Sequence, residues 1–201
     1  STHSAVLNNG GTLAIASGTF KAKTGLGMNC GTTDIFGGIF EGTEWDGISL
    51  WNDCKSSSTL NYSGATATGI NYGLYFTTNV NININSGSIA GKKTGIYSEA
   101  TSGTVTINGG TISGDSYQGF YAKNIRVNLN GGTISTNGAY DGLSAENSTI
   151  YENGTTLNGR NWGLYAQDSS KVYYHSGTLT CKSNNWDNGR YCLYAKYYSN
   201  Y

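Results

Sequence analysis

Residues 105–113 read Val-Thr-Ile-Asn-Gly-Gly-Thr-Ile-Ser, and residues 127–135 read Val-Asn-Leu-Asn-Gly-Gly-Thr-Ile-Ser. Two near-copies 22 residues apart set a repeat, and the repeat has to be traced before any element is assigned. Looser copies of the Gly-Thr-Ile phrase are Ser17-Gly18-Thr19-Phe20, Gly37-Gly38-Ile39-Phe40, Ser86-Gly87-Ser88-Ile89 and Ser176-Gly177-Thr178-Leu179. Closing these phrases are Phe20, Phe40, Thr66, Ile89, Ile112, Ile134, Leu157 and Leu179, about 22 residues apart. A second phrase, Gly-apolar-Tyr, follows at Gly73-Leu74-Tyr75, Gly95-Ile96-Tyr97, Gly119-Phe120-Tyr121 and Gly163-Leu164-Tyr165, with variants at Gly142-Leu143-Ser144 and Cys192-Leu193-Tyr194. A third, alternating phrase precedes the first: Ile82-Asn83-Ile84, Val105-Thr106-Ile107, Val127-Asn128-Leu129 and Val172-Tyr173-Tyr174.

Period-two alternation over three to five residues marks strands too short to stand alone. Three such strands per repeat, joined by Gly/Asn turns, predict one coil of a parallel β-helix, each coil pairing with the next. The chain accommodates about eight coils, a rod of roughly 38 Å at 4.8 Å per stacked strand. The fold expected is all-β: a right-handed parallel β-helix of about eight coils and about 22 residues per coil. It forms one domain over 1–201, regular over 82–195 and looser over 12–81. Val105, Ile107, Ile112, Phe120 and Ala122 should point inward.

Composition agrees. There are 30 Gly and no Pro among 201 residues, and Gly, Asn, Ser and Thr fill about half the chain, which disfavours helices. Twelve cationic and twelve anionic side chains cancel. The clustered positive charge of a nucleic-acid binder is missing, and no apolar run approaches the ~20 residues of a membrane span. The expected partners are therefore a glycan, a cell-surface or matrix component, or a second copy joined end to end.

Asn85, Asn108, Asn130 and Asn153 recur at one turn and are expected to form a structural ladder. Four cysteines allow three pairings. Cys30 and Cys54 occupy similar places in adjacent coils, and Cys181 and Cys192 lie in one coil. The pairs Cys30–Cys54 and Cys181–Cys192 would staple the two ends and point to an oxidising, extracellular location.

The Gly-Gly-Thr-Ile and Gly-apolar-Tyr phrases resemble the right-handed β-helix, or pectate-lyase-like, superfamily, and most closely the Gly/Thr/Asn-rich surface adhesin passengers of bacteria. That resemblance implies a secreted or surface-displayed solenoid. It also raises polysaccharide lyase chemistry, which needs carboxylates with Arg or Lys nearby. The one carboxylate group, around Glu41, Glu44 and Asp46, is the candidate calcium site, against which stands a solvated loop. No Asp-Asp pair or Ser/His/Asp set accompanies it, and no cofactor is expected.

The function expected is a non-catalytic adhesive or structural module acting through surface contact. The alternative is carbohydrate binding. Outward Tyr75, Tyr97, Tyr121, Tyr165 and Tyr194 should form a column interrupted by Ser144. Trp45, Tyr72, Tyr117, Tyr140, Trp162 and Trp186 sit in the preceding turn, where rings can stack on sugar faces. The residues expected to hold a glycan are Tyr117, Tyr140, Trp162, Trp186, Tyr121 and Tyr165. A further alternative is an ice-binding face built on Thr19, Ser88, Thr111, Thr133, Thr156 and Thr178, with Lys21, Glu41, Ala67, Ala90, Ser113, Ser135, Asn158 and Thr180 as its second column.

Overall fold

A computed structural model describes residues 3–51, 57–77, 79–182 and 191–196. Among these residues every strand pairing is parallel and no helix occurs. Each coil presents three faces.

Face A carries the Gly-apolar-Tyr phrase. Its rungs run from the first half of Ser4–Ile15 and of Thr24–Ile35 through Ile48–Leu50, Tyr72–Phe76, Thr94–Ser98, Phe120–Lys123, Leu143–Glu146 and Leu164–Gln167 to Leu193–Ala195. Face B carries the alternating phrase, from Thr12–Ile15 in the first coil to Lys171–Tyr174 in the eighth. Face C carries the Gly-Thr-Ile phrase, from Thr19–Ala22 to Thr178–Cys181. Pairing begins at Ser4↔Thr24, so the first coils are in register although their phrases are degenerate.

Not every strand is short. Ser4–Ile15 and Thr24–Ile35 run through the A/B corner, and Thr149–Gly159 and Lys171–Cys181 run through the B/C corner. Bulges at Asn8/Asn9 and Glu152/Asn153 turn the corner without ending the strand.

The core is one column of side chains per inward position. Val105, Ile107, Ile112, Phe120 and Ala122 are all buried as expected. One position differs. Ala67, not Thr66, continues the column from Phe40 to Ile89. Thr66 therefore points outward, between Ile39 and Ser88, and Thr68, not Ala67, fills the second outward column. Alternation alone cannot phase Ala65-Thr66-Ala67-Thr68, because alanine and threonine both tolerate either side.

Asparagine ladders tie the turns. Asn108 donates to Asn85 Oδ1 and Asn130 to Asn108 Oδ1, each at 2.9 Å. Asn153 does not extend this ladder. Among the described residues no amide hydrogen bond joins it to Asn130, although the flanking pairs Leu129↔Glu152 and Thr133↔Thr156 keep one register; here Glu152 turns inward to accept the Gly154 and Thr155 N–H groups. A second ladder lies on face B, where Asn83 donates to Asn61 and Asn61 to Asp34. At the A/B corner Asn124 and Asn147 both adopt positive φ, and Asn147 donates to Asn124 Oδ1.

The C/A corner depends on missing side chains. Face C ends in a column of Gly42, Gly69, Gly91 and Gly114, with Gly159 beyond Thr136. A Cβ on Gly114 would lie 2.2 Å from the Gln118 carbonyl oxygen, and one on Gly159 would lie 1.7 Å from that of Trp162. The Gly119 of the Gly-apolar-Tyr phrase is equally confined, 2.5 Å from the Ser135 oxygen. These glycines are required by close backbone approach.

Cys181 and Cys192 form the expected disulfide across one coil. Cys30 is also disulfide-bonded, while Cys54 lies outside the described residues.

Gly114→Ala is expected to lower stability by about 3 kcal/mol or more, since the obstruction is backbone on both sides. Gly10→Ala, which has open space but positive φ, should cost only about 1 kcal/mol. Urea midpoints of the two variants check the contrast.

Candidate functional site

The turn aromatics occupy two different columns. Trp45, Asn71, Lys93, Tyr117, Tyr140 and Asn161 share the position three residues before the inward apolar residue, as the backbone bonds Asn71 N→Trp45 O, Lys93 N→Asn71 O and Tyr117 N→Lys93 O show. Asp46, Tyr72, Thr94, Gln118, Asp141 and Trp162 share the next position. The first column faces solvent, with Trp45, Tyr117 and Tyr140 about 40% exposed. The second leans on face A.

On face A the outward column is Ser49, Tyr75, Tyr97, Tyr121, Ser144, Tyr165 and Tyr194. Tyr72 inserts its ring beside Tyr75 (5.4 Å between centroids) and Tyr97 (4.6 Å), and Tyr97 stacks on Tyr121 at 4.9 Å. A separate group joins Trp162, Tyr165 and Tyr194 at 4.9–5.5 Å. Tyr75 donates its phenol proton to Glu99 Oε2 at 2.6 Å, and Tyr121 donates to Glu146 Oε2. Lys123 closes on Glu146 at 2.7 Å. Burial holds these phenols protonated; Tyr72 is pushed up to about 12, and Tyr75 and Tyr121 are raised as well.

The two serines in the tyrosine column belong to one motif, Asp46-Gly47-Ile48-Ser49 and Asp141-Gly142-Leu143-Ser144. In each, the serine hydroxyl donates to the buried aspartate at 2.6 Å. Asp46 also accepts the Tyr72 N–H at 3.2 Å, which clasps it to the next coil. The corresponding Asp141 Oδ1 is buried, with only the approaching Trp162 N–H to offset its charge. Burial raises both carboxyls, Asp141 to about 6.

Replacing a ring by serine opens a notch. Around Asp46 and Ser49 it becomes a cleft of about 430 Å³, walled by His3, Trp45, Trp51, Tyr72 and Tyr75. A second cleft of about 380 Å³ adjoins it, lined by Tyr72, Lys93, Tyr97, Tyr117, Gln118 and Tyr121. Tyr72 lines both, so the aromatic groove on face A consists of two adjoining clefts.

Of the expected glycan residues, Tyr117 and Tyr121 line this groove. Tyr140 packs against Tyr117 in a tilted arrangement, with centroids 5.0 Å apart. Trp162 and Tyr165 stand apart with Tyr194, and Trp186 lies outside the described residues. Trp51, His3 and the Asp-Gly-apolar-Ser pair were not among the expected residues. The second motif shares the register of Gly-apolar-Tyr, and that was its available signal.

The carboxylates Glu41, Glu44 and Asp46 do not converge. Lys21 holds Glu41 and Lys23 holds Glu44, each at 2.7 Å, while Asp46 is engaged by Ser49 and Tyr72. Among the described residues no three His, Cys, Asp or Glu side chains form a metal-holding group. No protein-family model, curated protein or solved structure matches the chain.

Asp141 makes stability pH-dependent with a definite sign. Its folded pKa, about 6, lies above the unfolded value of 3.8, so its contribution favours folding below pH ~4 and is lost as pH rises through ~6. The expected loss is of order 2–3 kcal/mol. Denaturant titrations between pH 4 and 8 should show this decline in the wild type and a flatter profile in Asp141→Asn.

Proposed function

We propose that this protein is a non-catalytic extracellular β-solenoid that works by surface contact, as an adhesive or structural module, and that its aromatic face holds a glycan. The observation that carries this reading is the pair of adjoining aromatic clefts that share Tyr72. Rings there present apolar faces for sugar C–H groups, and Asn71, Gln118 and Lys93 supply hydrogen-bonding groups beside them. The groove crosses successive rungs about 4.8 Å apart, so an extended oligosaccharide would meet the repeated ring of Tyr75, Tyr97 and Tyr121 beside hydrogen-bonding groups that change from rung to rung. The resemblance to bacterial adhesin passengers and to the pectate-lyase-like superfamily agrees with an extracellular glycan-contacting role. So does the Cys181–Cys192 disulfide, which an oxidising compartment favours.

Screening the purified protein on a glycan array, followed by calorimetry of the best ligand, tests this. Trp45→Ala and Tyr72→Ala should each weaken binding by about tenfold, roughly 1.4 kcal/mol for one lost stacking ring. Trp162→Ala, outside both clefts, should leave affinity unchanged. An empty array, or equal affinity in all three variants, would exclude the groove.

Face C supports a second reading, contact with ordered water or ice. In the outward columns, the corrected register leaves six consecutive rungs, from Thr66/Thr68 to Thr178/Thr180, free of charged residues. The Lys21–Glu41 pair lies beyond them. Thermal hysteresis that disappears in Thr133→Tyr would favour it; normal ice growth would remove it.

A further inference from the structure

The tyrosines of face A are arranged more specifically than a stacking or sugar-binding surface needs. Tyr75, Tyr72, Tyr97 and Tyr121 form an unbroken file, with neighbouring centroids 4.6–5.4 Å apart. Its two end members are the phenols that donate to carboxylates, Tyr75 to Glu99 and Tyr121 to Glu146. Trp45 and Trp51 stand at the Tyr75 end, in the same cleft. At the other end Ser144 separates Tyr121 from Tyr165 by two rungs, about 10 Å, so the file terminates there.

A phenol kept protonated by its surroundings cannot give up an electron cheaply unless its proton leaves as well. Both ends of this file have the proton acceptor in place, already hydrogen-bonded. Glu146 is held in its ionised form by Lys123 and the Tyr121 hydroxyl.

We propose that this file is a proton-coupled relay for one-electron oxidising equivalents delivered by a peroxide-derived oxidant, such as the ferryl haem of a peroxidase. The oxidant gains one electron from Tyr75, at the tryptophan end of the file. The phenolic O–H bond breaks, its proton passes to the Glu99 carboxylate, and a neutral phenoxyl radical remains. An electron arriving from Tyr121 through Tyr97 and Tyr72 refills Tyr75, whose proton returns from Glu99, while the Tyr121 proton crosses to Glu146. Each end starts and finishes with the same atoms, and only the radical has moved. This assignment stands independently of glycan binding.

Pulse radiolysis with the azide radical tests it. Azide radical takes one electron from tryptophan and becomes azide ion; the indole N–H proton goes to solvent. The tryptophan radical should then decay as phenoxyl grows, at a rate independent of protein concentration and slower in D2O. In Glu99→Gln/Glu146→Gln this phase should slow at least about tenfold, the kinetic equivalent of losing a charge-assisted hydrogen bond. Tyr97→Phe preserves the stacked ring, so folding is retained. Nitroso spin-trap labelling of Tyr121 should nevertheless fall severalfold in that variant. Phenoxyl growth that scales with protein concentration, or that is unchanged in D2O and in the double Gln variant, would overturn the relay. So would undiminished Tyr121 labelling in Tyr97→Phe.

Discussion

The backbone-to-backbone approach at the C/A corner is the constraint on which the rest of this structure depends. Face C must end, turn within a few residues and re-enter face A while a corresponding turn lies one rung above and another one below. Little room for a side chain remains inside that corner, and glycine takes the position in every interior coil except that of Thr136. Once the corner is fixed, the register of each face A strand is fixed. Every side chain then lies over its equivalent in the next coil, as in other quasi-one-dimensional repeats.

Register converts a one-dimensional repeat into columns, and each column takes on the chemistry of its residue type. Inward aliphatics become a continuous core. Asparagines become ladders in which one amide's donor meets the next amide's acceptor. Tyrosines become a stacked file. Departures from a column are then the informative positions. Ser49 and Ser144 replace a ring with a buried hydroxyl that engages a buried aspartate, and the first of them lines the larger cleft. Glu152 stands where Leu129 and Ile107 stand in earlier coils, and its buried carboxylate caps the Asn153–Thr155 bend.

The solenoid was legible in the sequence because Val105–Ser113 and Val127–Ser135 repeat almost verbatim, and the core positions in those coils follow from alternation. Phasing failed at Thr66 because Ala-Thr alternation has no polarity contrast to anchor it. The missing Asn153 rung was not legible because the bend there is organised by Glu152, a carboxylate at a position that is apolar in earlier coils. The groove was only half legible. Tyr117 and Tyr121 could be found from their phrases. The split of the turn aromatics into two columns could not, because it depends on where each turn pairs with its neighbour. Trp51 and His3 belong to no repeated phrase, and only the folded coil brings them to Tyr72.

The central claim is that the two adjoining clefts that share Tyr72 are the contact surface. Aromatic-ring NMR shifts recorded while titrating an oligosaccharide library would examine it most directly. The account predicts shifts concentrated on Trp45, Trp51, Tyr72, Tyr75, Tyr97, Tyr117 and Tyr121. Shifts confined to Trp162, Tyr165 and Tyr194, or an unperturbed aromatic spectrum across the whole library, would contradict it.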